Sequence, residues 1–421
     1  MAQSAERTGS CFKMPEIFLP GTGVDLAKWA VIACDQYTSQ PEYWDAVEKT
    51  VGDAPSTLRL VLPEIYLGGK DEKERIRSIC ETMRKYHKDG LLRSIGEGYM
   101  LVERDTLAGK RSGLLLALDL ECYDYSKNSG SLIRPTEDTI EERIPPRLKV
   151  RSEALFELPH IMVLVDDPED MLLGPLMEKK ESCEKVYGLE LMLGGGRVEG
   201  RFIRSGSTGA RSVEKALGTL CARARERAVR PILFAVGDGN HSLATAKAHY
   251  EKLKEHGPGA ILSEPRYALT EVVNLHEPAI VFHPIHRAVF GAGKDLPGHI
   301  SEALGSFEKR SGQGRITLIA GGRTYVIDAH AGSIETIRRA EEALASYANE
   351  HKGCRIDYIH DEEVLKLMAE EEKCAAVFMP RINKRELFSY VEAHGVLPRK
   401  AFSIGHSLDK RYYLEARMVG A

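Results

Sequence analysis

Pro231-Ile-Leu-Phe-Ala-Val236, Gly237-Asp-Gly-Asn-His-Ser242 and Leu243-Ala-Thr-Ala-Lys-Ala-His-Tyr250 follow one another without a break. The first run is short and continuously apolar, which predicts a buried strand. Leu243, Ala246, Tyr250 and Leu253 recur every three or four residues, which predicts an amphipathic helix. The turn between them holds two glycines, an acid, an amide, an imidazole and a hydroxyl. Glycines let backbone N–H groups approach a ligand closely, and a helix start carries unpaired donors and partial positive charge. The unit therefore predicts an anion site, with phosphate as its natural guest. The same residue types also make a plain turn and helix cap; His241 favours the site, because imidazole adds nothing to a turn. The loop is neither G-x-x-x-x-G-K-[ST] nor G-x-G-x-x-G, so it is neither a Walker loop nor a dinucleotide fingerprint.

Around this unit, 421 residues are enough for two or three domains, and 43% apolar with 29% charged residues is the make-up of a soluble globular protein. A net charge of −4 argues against a nucleic-acid binder. Arg223, Arg227 and Arg230 would share one face at the end of a helix, where they suit its dipole, so they read as a solvated face. Eight scattered cysteines without a C-x-x-C pair indicate neither a zinc cage nor a disulfide framework, but reduced thiols. The first residues have no apolar signal-peptide core and no run reaches about 18 apolar residues, so the expected location is the cytoplasm, with no membrane partner.

Along the chain the expected strands are Met14–Leu19, Trp29–Ala33, Leu58–Tyr66, Tyr99–Arg104, Arg111–Tyr123 and His160–Asp166. Helices are expected near Tyr43–Thr50 and Asp71–Asp89, and a hairpin over Leu189–Gly206. Residues 131–143, with Arg147, Lys149 and Arg151, read as a polar excursion from the sheet. Residues 288–350 carry a second hairpin at Ala320-Gly-Gly-Arg323. The fold class is α/β to α+β with mixed sheets. Three regions are expected: an N-terminal α/β domain over 1–130, a core with the loop over 131–287, and a supporting subdomain over 288–421 whose tail returns to the core.

Four short motifs, in order, resemble an uncharacterised bacterial and archaeal family, domain-of-unknown-function family ten-fifteen. Its loop D-G-H-H-R-Y is similar to Asp238-Gly-Asn-His-Ser-Leu243, and its R-H-E-x-T to Arg134-Pro-Thr-Glu-Asp-Thr139 with one extra residue before Glu137. Its P-T-H-R matches Pro284-Ile-His-Arg287, and its M-P-x-K-S-T-Y-F loosely matches Leu397-Pro-Arg-Lys-Ala-Phe-Ser403. The loop also resembles the D-G-H-T-R loop of free-serine kinases in the ParB/sulfiredoxin-like superfamily. That likeness implies a nucleotide phosphate held by loop and helix, a hydroxyl acceptor such as free L-serine, and a Glu as base. Asn240 and Ser242 replace the first His and the Arg, so the loop lacks one phosphate-binding charge.

Phosphoryl transfer needs donors for the phosphates, a metal in most cases, and a base for the attacking hydroxyl. Backbone N–H groups from Gly237 and Gly239 through Asn240 to Ser242 are the expected cradle, with Arg134, Arg143, Arg287 and Lys400 as clamps. Asp238 is the expected Mg²⁺ ligand, Glu137 the base and His241 a further catalytic group. Asp35, amid Cys34, Tyr37, Tyr43, Trp29 and Trp44, and His286 are expected to touch substrate. The donor would be a nucleotide or pyrophosphate. His283 and His286 do not read as a metal pair, since Pro284 disfavours the helix that would align them. The other reading is a non-catalytic binder of an anionic metabolite or nucleotide, favoured by Ser242 in place of Arg. If one site exists, residues 134–143, His286-Arg287 and Lys400–Ser403 should converge on the loop.

Overall fold

Leu92–Thr106 and Gly109–Asp119 pair as one long antiparallel hairpin, the spine of a ten-stranded sheet. Successive side chains on a strand point to opposite faces. Here Met100, Val102 and Leu115 enter one core, and Tyr99, Leu101, Leu114 and Leu116 enter another. The sheet is therefore covered on both sides, which is why residues 111–119 are buried without alternation. In this computed structural model the described residues are 10–255, 263–305, 314–329, 331–371 and 373–420.

The sheet runs in the order Ile133–Pro135, Phe234–Asp238, Met162–Val165, Tyr267–Asn274, Gly109–Asp119, Leu92–Thr106, Gly196–Arg204 and Glu184–Leu191. Phe12–Lys13 adds to Gly109–Asp119 and Glu16–Pro20 to Leu92–Thr106. Ile133–Pro135 lies parallel to Phe234–Asp238, and Met162–Val165 parallel to Tyr267–Asn274, while the other pairs are antiparallel. The class is mixed α/β.

The chain divides into two units, Met1–Ile280 with Gly405–Ala421, and Val281–Ile404. Strands from both sides of residue 130 share the large sheet, so no boundary falls there, and the second unit ends before the tail. That unit holds a five-stranded antiparallel sheet, in the order Arg323–Ala329, Gly314–Ala320, Ala375–Phe378, His286–Phe290 and Arg355–Ile359. The Gly321-Gly322 turn closes its first hairpin with both residues in the left-handed region.

Three local readings need correction. Leu26–Trp29 is a helical turn, and the extended residues after it make only an isolated bridge, Ile32 to Tyr412. Leu58–Tyr66 is not a strand but two 3-10 turns, the first capped by Ser56 Oγ and the second begun after Pro63. Its leucines reach the core without a ladder. Ile133–Pro135 belongs to the sheet, and Arg147, Lys149 and Arg151 ride on the helix Ile144–Glu153. The arginines after residue 220 do cap a helix, Thr208–Arg227, where Arg223 pairs with Glu169 and Arg227 with Asp166. All eight cysteines are free. Among the described residues no helix is long and apolar enough to cross a membrane.

The tail is held by buried charge. Arg411 bridges Glu271 and Glu415 and donates from Nε to the Pro159 carbonyl at 2.8 Å. The Tyr187 hydroxyl donates to Glu415. Arg417 pairs with Glu157 at 2.7 Å, and Arg111 donates to the Asp409 carbonyl at 2.9 Å. Removing one member of such a set strands its partner's charge in a dry environment. We predict that Arg411→Ala lowers unfolding free energy by about 3–5 kcal/mol in urea titration. Arg204→Ala, which breaks an exposed pair with Glu184, should cost less than about 1 kcal/mol.

Candidate functional site

The strand Phe234–Asp238 ends at Gly239, whose φ of +76° suits glycine. A Cβ there would lie 3.0 Å from the Ile161 Cα. The helix Asn240–Glu255 starts at the next residue. The loop thus turns tightly against the neighbouring strand and aims the helix start at residues 136–140, brought alongside by the parallel strand pair. The Thr136 hydroxyl donates to the Val236 carbonyl at 2.7 Å, and the Ile140 N–H donates to His241 Nε2 at 3.2 Å. Segment 136–140 and the loop are therefore neighbours, as expected. Glu137 lies in that segment, half-buried.

The expected cradle is altered. The Gly239 N–H donates to Asp238 Oδ1 at 3.1 Å, and the Ser242 N–H to the Gly239 carbonyl at 3.0 Å. Two of the loop's N–H groups are thus engaged internally. The Asn240 Oδ1 atom is buried without a hydrogen-bond partner. Positive charge comes instead from the tail: Lys410 Nζ stands 3.1 Å from Asp238 Oδ2.

Behind the loop lies a relay absent from the sequence reading. His160 Nε2 is 2.8 Å from Ser242 Oγ and 4.0 Å from Asp35 Oδ2. His160 Nδ1 is 2.8 Å from the Tyr413 hydroxyl, which accepts the Cys34 N–H at 3.1 Å. His160 thus links Tyr413 on one ring nitrogen with Ser242 and Asp35 on the other.

Charges follow from these contacts. Burial pushes the Asp35 carboxyl up, but His160, the Gln36 amide and Lys410 outweigh it and hold the group below the ordinary carboxylate value. Burial, with Asp35 and Glu64 adding, pushes the Cys34 thiol up to about 12. Cys34 is therefore a neutral thiol at pH 7 and a poor nucleophile. Burial likewise raises Glu64, against the opposing effect of its partner Arg147.

The expected clamps have other roles. Arg134 is buried, and its guanidinium donates to the Ser129 and Arg230 carbonyls, at the end of the strand pair away from the loop. Arg143 is exposed at the start of the helix Ile144–Glu153. His286, Arg287 and Lys400 belong to the second unit. There His286 Nδ1 accepts the Met379 N–H at 3.1 Å. The fully buried Arg287 pairs with Glu341, donates to the Lys400 carbonyl and lies over the Tyr358 ring, as does Lys400 Nζ. These contacts tie strands and turns of that unit together.

Among the described residues no group of three or more His, Cys, Asp or Glu side chains is arranged to hold a metal. Mg²⁺ sites commonly use one or two carboxylates and complete themselves with phosphates and water; Asp238 and Asp35 are the loop's available carboxylates. Lys410 and Tyr413 had one visible signal, the dense basic and aromatic run Lys410-Arg-Tyr-Tyr413.

The chain belongs to the family described as protein of unknown function (DUF1015), whose profile matches residues 18–374. No curated protein matches it. Among solved structures, a free serine kinase in complex with AMP aligns over 72% of this chain and 91% of its own, at 10% identity and a TM-score of 0.37. A conserved hypothetical protein from Pyrococcus furiosus aligns over 71% and 90%, at 10% identity and 0.33. A C-terminally truncated SbnI from Staphylococcus aureus aligns over 69% and 82%, at 12% identity and 0.35.

Burial pushes the His286 imidazole down from 6.5 to about 4. The unfolded chain then takes up this proton first as pH falls. The stability contributed by a neutral His286 is complete above about pH 6.5 and is lost towards pH 4, by roughly 3 kcal/mol. Hydrogen exchange in the strand His286–Phe290 should accelerate over that window. His286→Gln, which keeps an acceptor for the Met379 N–H, should flatten the dependence.

Proposed function

We propose that this chain is a phosphotransferase acting on a small hydroxylated metabolite, with free L-serine the first acceptor to test. The observation that carries the reading is the meeting of Lys410, Asp238 and Asp35 at the amino end of the helix Asn240–Glu255. A cation beside a helix start neutralises phosphate charge without moving. An ionised carboxylate orients a hydroxyl and takes its proton as the oxygen attacks phosphorus, while the bond to the donor's leaving oxygen breaks. Asp35 fits this second role, because Lys410 and His160 keep it ionised. Glu137, in the segment beside the loop, is the other candidate base. Asp238 would hold Mg²⁺, which would supply positive charge to neutralise the donor's phosphates. The donor is a nucleotide or pyrophosphate, and the same geometry serves the reverse reaction.

A non-catalytic binder of an anionic metabolite is the second reading. It is favoured by Ser242 where the similar loops carry Arg, and by the engagement of Lys410 with Asp238. Both readings expect ATP, ADP or pyrophosphate to raise the melting temperature, by binding the folded state. Turnover separates them. With Mg²⁺, L-serine and each donor, phosphorus NMR should show a new phosphate ester. Asp35→Asn and Lys410→Met should each slow it by roughly 100-fold or more. A larger loss in Glu137→Gln than in Asp35→Asn would move the base to Glu137. Absence of transfer to serine or any other hydroxyl compound would leave the binding reading in its place.

A further inference from the structure

Cys34, His160, Ser242 and Tyr413 also line one part of a cavity of about 150 Å³ within the first unit. Apolar side chains make up much of the remaining lining, among them Leu60, Leu62, Met83, Phe156, Leu158 and Leu269. Five of these are nearly inaccessible to solvent, Leu60, Met83, Phe156 and Leu269 at 1–2% exposure and Leu62 at 6%. The charged side chains along its wall are paired, Arg147 with Glu64 and Arg151 with Glu157. A space of this size has room for a guest about the size of benzene. Protein cores otherwise close up, because an unfilled hole forfeits contacts on every side.

The polar part of the lining supplies partners for the other end of such a guest. Ser242 Oγ lies 2.8 Å from His160 Nε2, and a hydroxyl both donates and accepts, so the pair offers a guest's hydroxyl a donor and an acceptor. Asp35 lies on the far side of the same imidazole. An apolar body against the leucines and one hydroxyl at the polar part would satisfy both surfaces at once.

We propose that this cavity binds the apolar part of a small amphipathic alcohol, a body of about six carbon atoms, with its hydroxyl at Ser242 and His160. The acceptor class is then a hydroxyl compound bearing an apolar group; free L-serine, which has none, would leave the cavity unfilled. The assignment of that hydroxyl as the reacting group rests on the phosphotransferase reading; binding in the cavity does not.

The test uses the full chain without nucleotide, with benzyl alcohol and 2-phenylethanol as probes and 1,3-propanediol as the polar control. Methyl-labelled protein should show saturable shifts at Met83 and Leu269 with the aromatic alcohols and none with the diol. Val150→Phe and Ala154→Leu, which push bulk into the cavity from the helix end, should each weaken probe binding at least tenfold. Lack of saturable shifts at these methyls in the unaltered chain, or equal affinity in both folded variants, overturns the proposal. The same alcohols are then incubated with Mg²⁺ and ATP. Binding without phosphorylation removes the cavity-bound hydroxyl as the reacting group and leaves the cavity assignment standing. Phosphorylation of serine without probe binding removes the cavity assignment and leaves the phosphotransferase reading.

Discussion

The ion pairs of Arg411 with Glu271 and Glu415 are the constraint on which the first unit depends. Glu271 sits in mid-sheet on Tyr267–Asn274 at 1% exposure, and Glu415 is fully buried. Two carboxylates at such depth are tolerable only because a guanidinium reaches both, with its Nε satisfied by the Pro159 carbonyl. Burial pushes the Glu271 carboxyl up, and Arg411 and Arg111 outweigh that and hold it below the usual value. The tail cannot leave without exposing these charges to a medium that does not solvate them. Everything it carries is thereby placed to within a side chain's reach. Lys410 and Tyr413, on either side of this anchor, owe their positions at the loop to it.

The site's chemistry is set by how it partitions charge. Lys410 faces Asp238 on one side, and its field reaches Asp35 on the other. His160 stands between Asp35, Ser242 and Tyr413. Cys34, within the same wall, is removed from nucleophilic chemistry by its burial, with the nearby carboxylates adding. What remains is a cation, two carboxylates and a helix start, the groups on which the proposed phosphoryl transfer would draw.

Local features were legible in the sequence because they obey short-range rules. The strand, turn and helix around Gly239, the helix Glu72–Lys88 and both hairpins follow from periodicity and glycine placement. So does the proximity of residues 136–140 to the loop, through the shared motif order. The arginines were not legible. Arg134 and Arg287 look like surface clamps, yet both are buried and bound to carbonyls or a carboxylate far along the chain. A guanidinium reads as polar wherever it stands; only a partner distant in sequence reveals that it is structural. Leu58–Tyr66 misled for a related reason, since an apolar run records burial and not the backbone geometry that achieves it. His160 and Lys410 were missed because each is a single residue whose role exists only in three dimensions.

The first unit draws on both Met1–Ile280 and Gly405–Ala421, with the whole second unit lying between them in sequence. On a ribosome adding roughly 5–20 residues per second, the stretch between Glu271 and Arg411 takes on the order of ten seconds to make. During that interval the second unit can emerge and fold, while the larger sheet waits with Glu157 and Glu271 lacking the tail's guanidinium groups. The second unit can thus complete its fold before the first, although its chain is made after most of the first. Access of the nascent chain to chaperones matters most in that window, and the pairing of Lys410 with Asp238 at the loop comes into being only when residues 405–421 are drawn in.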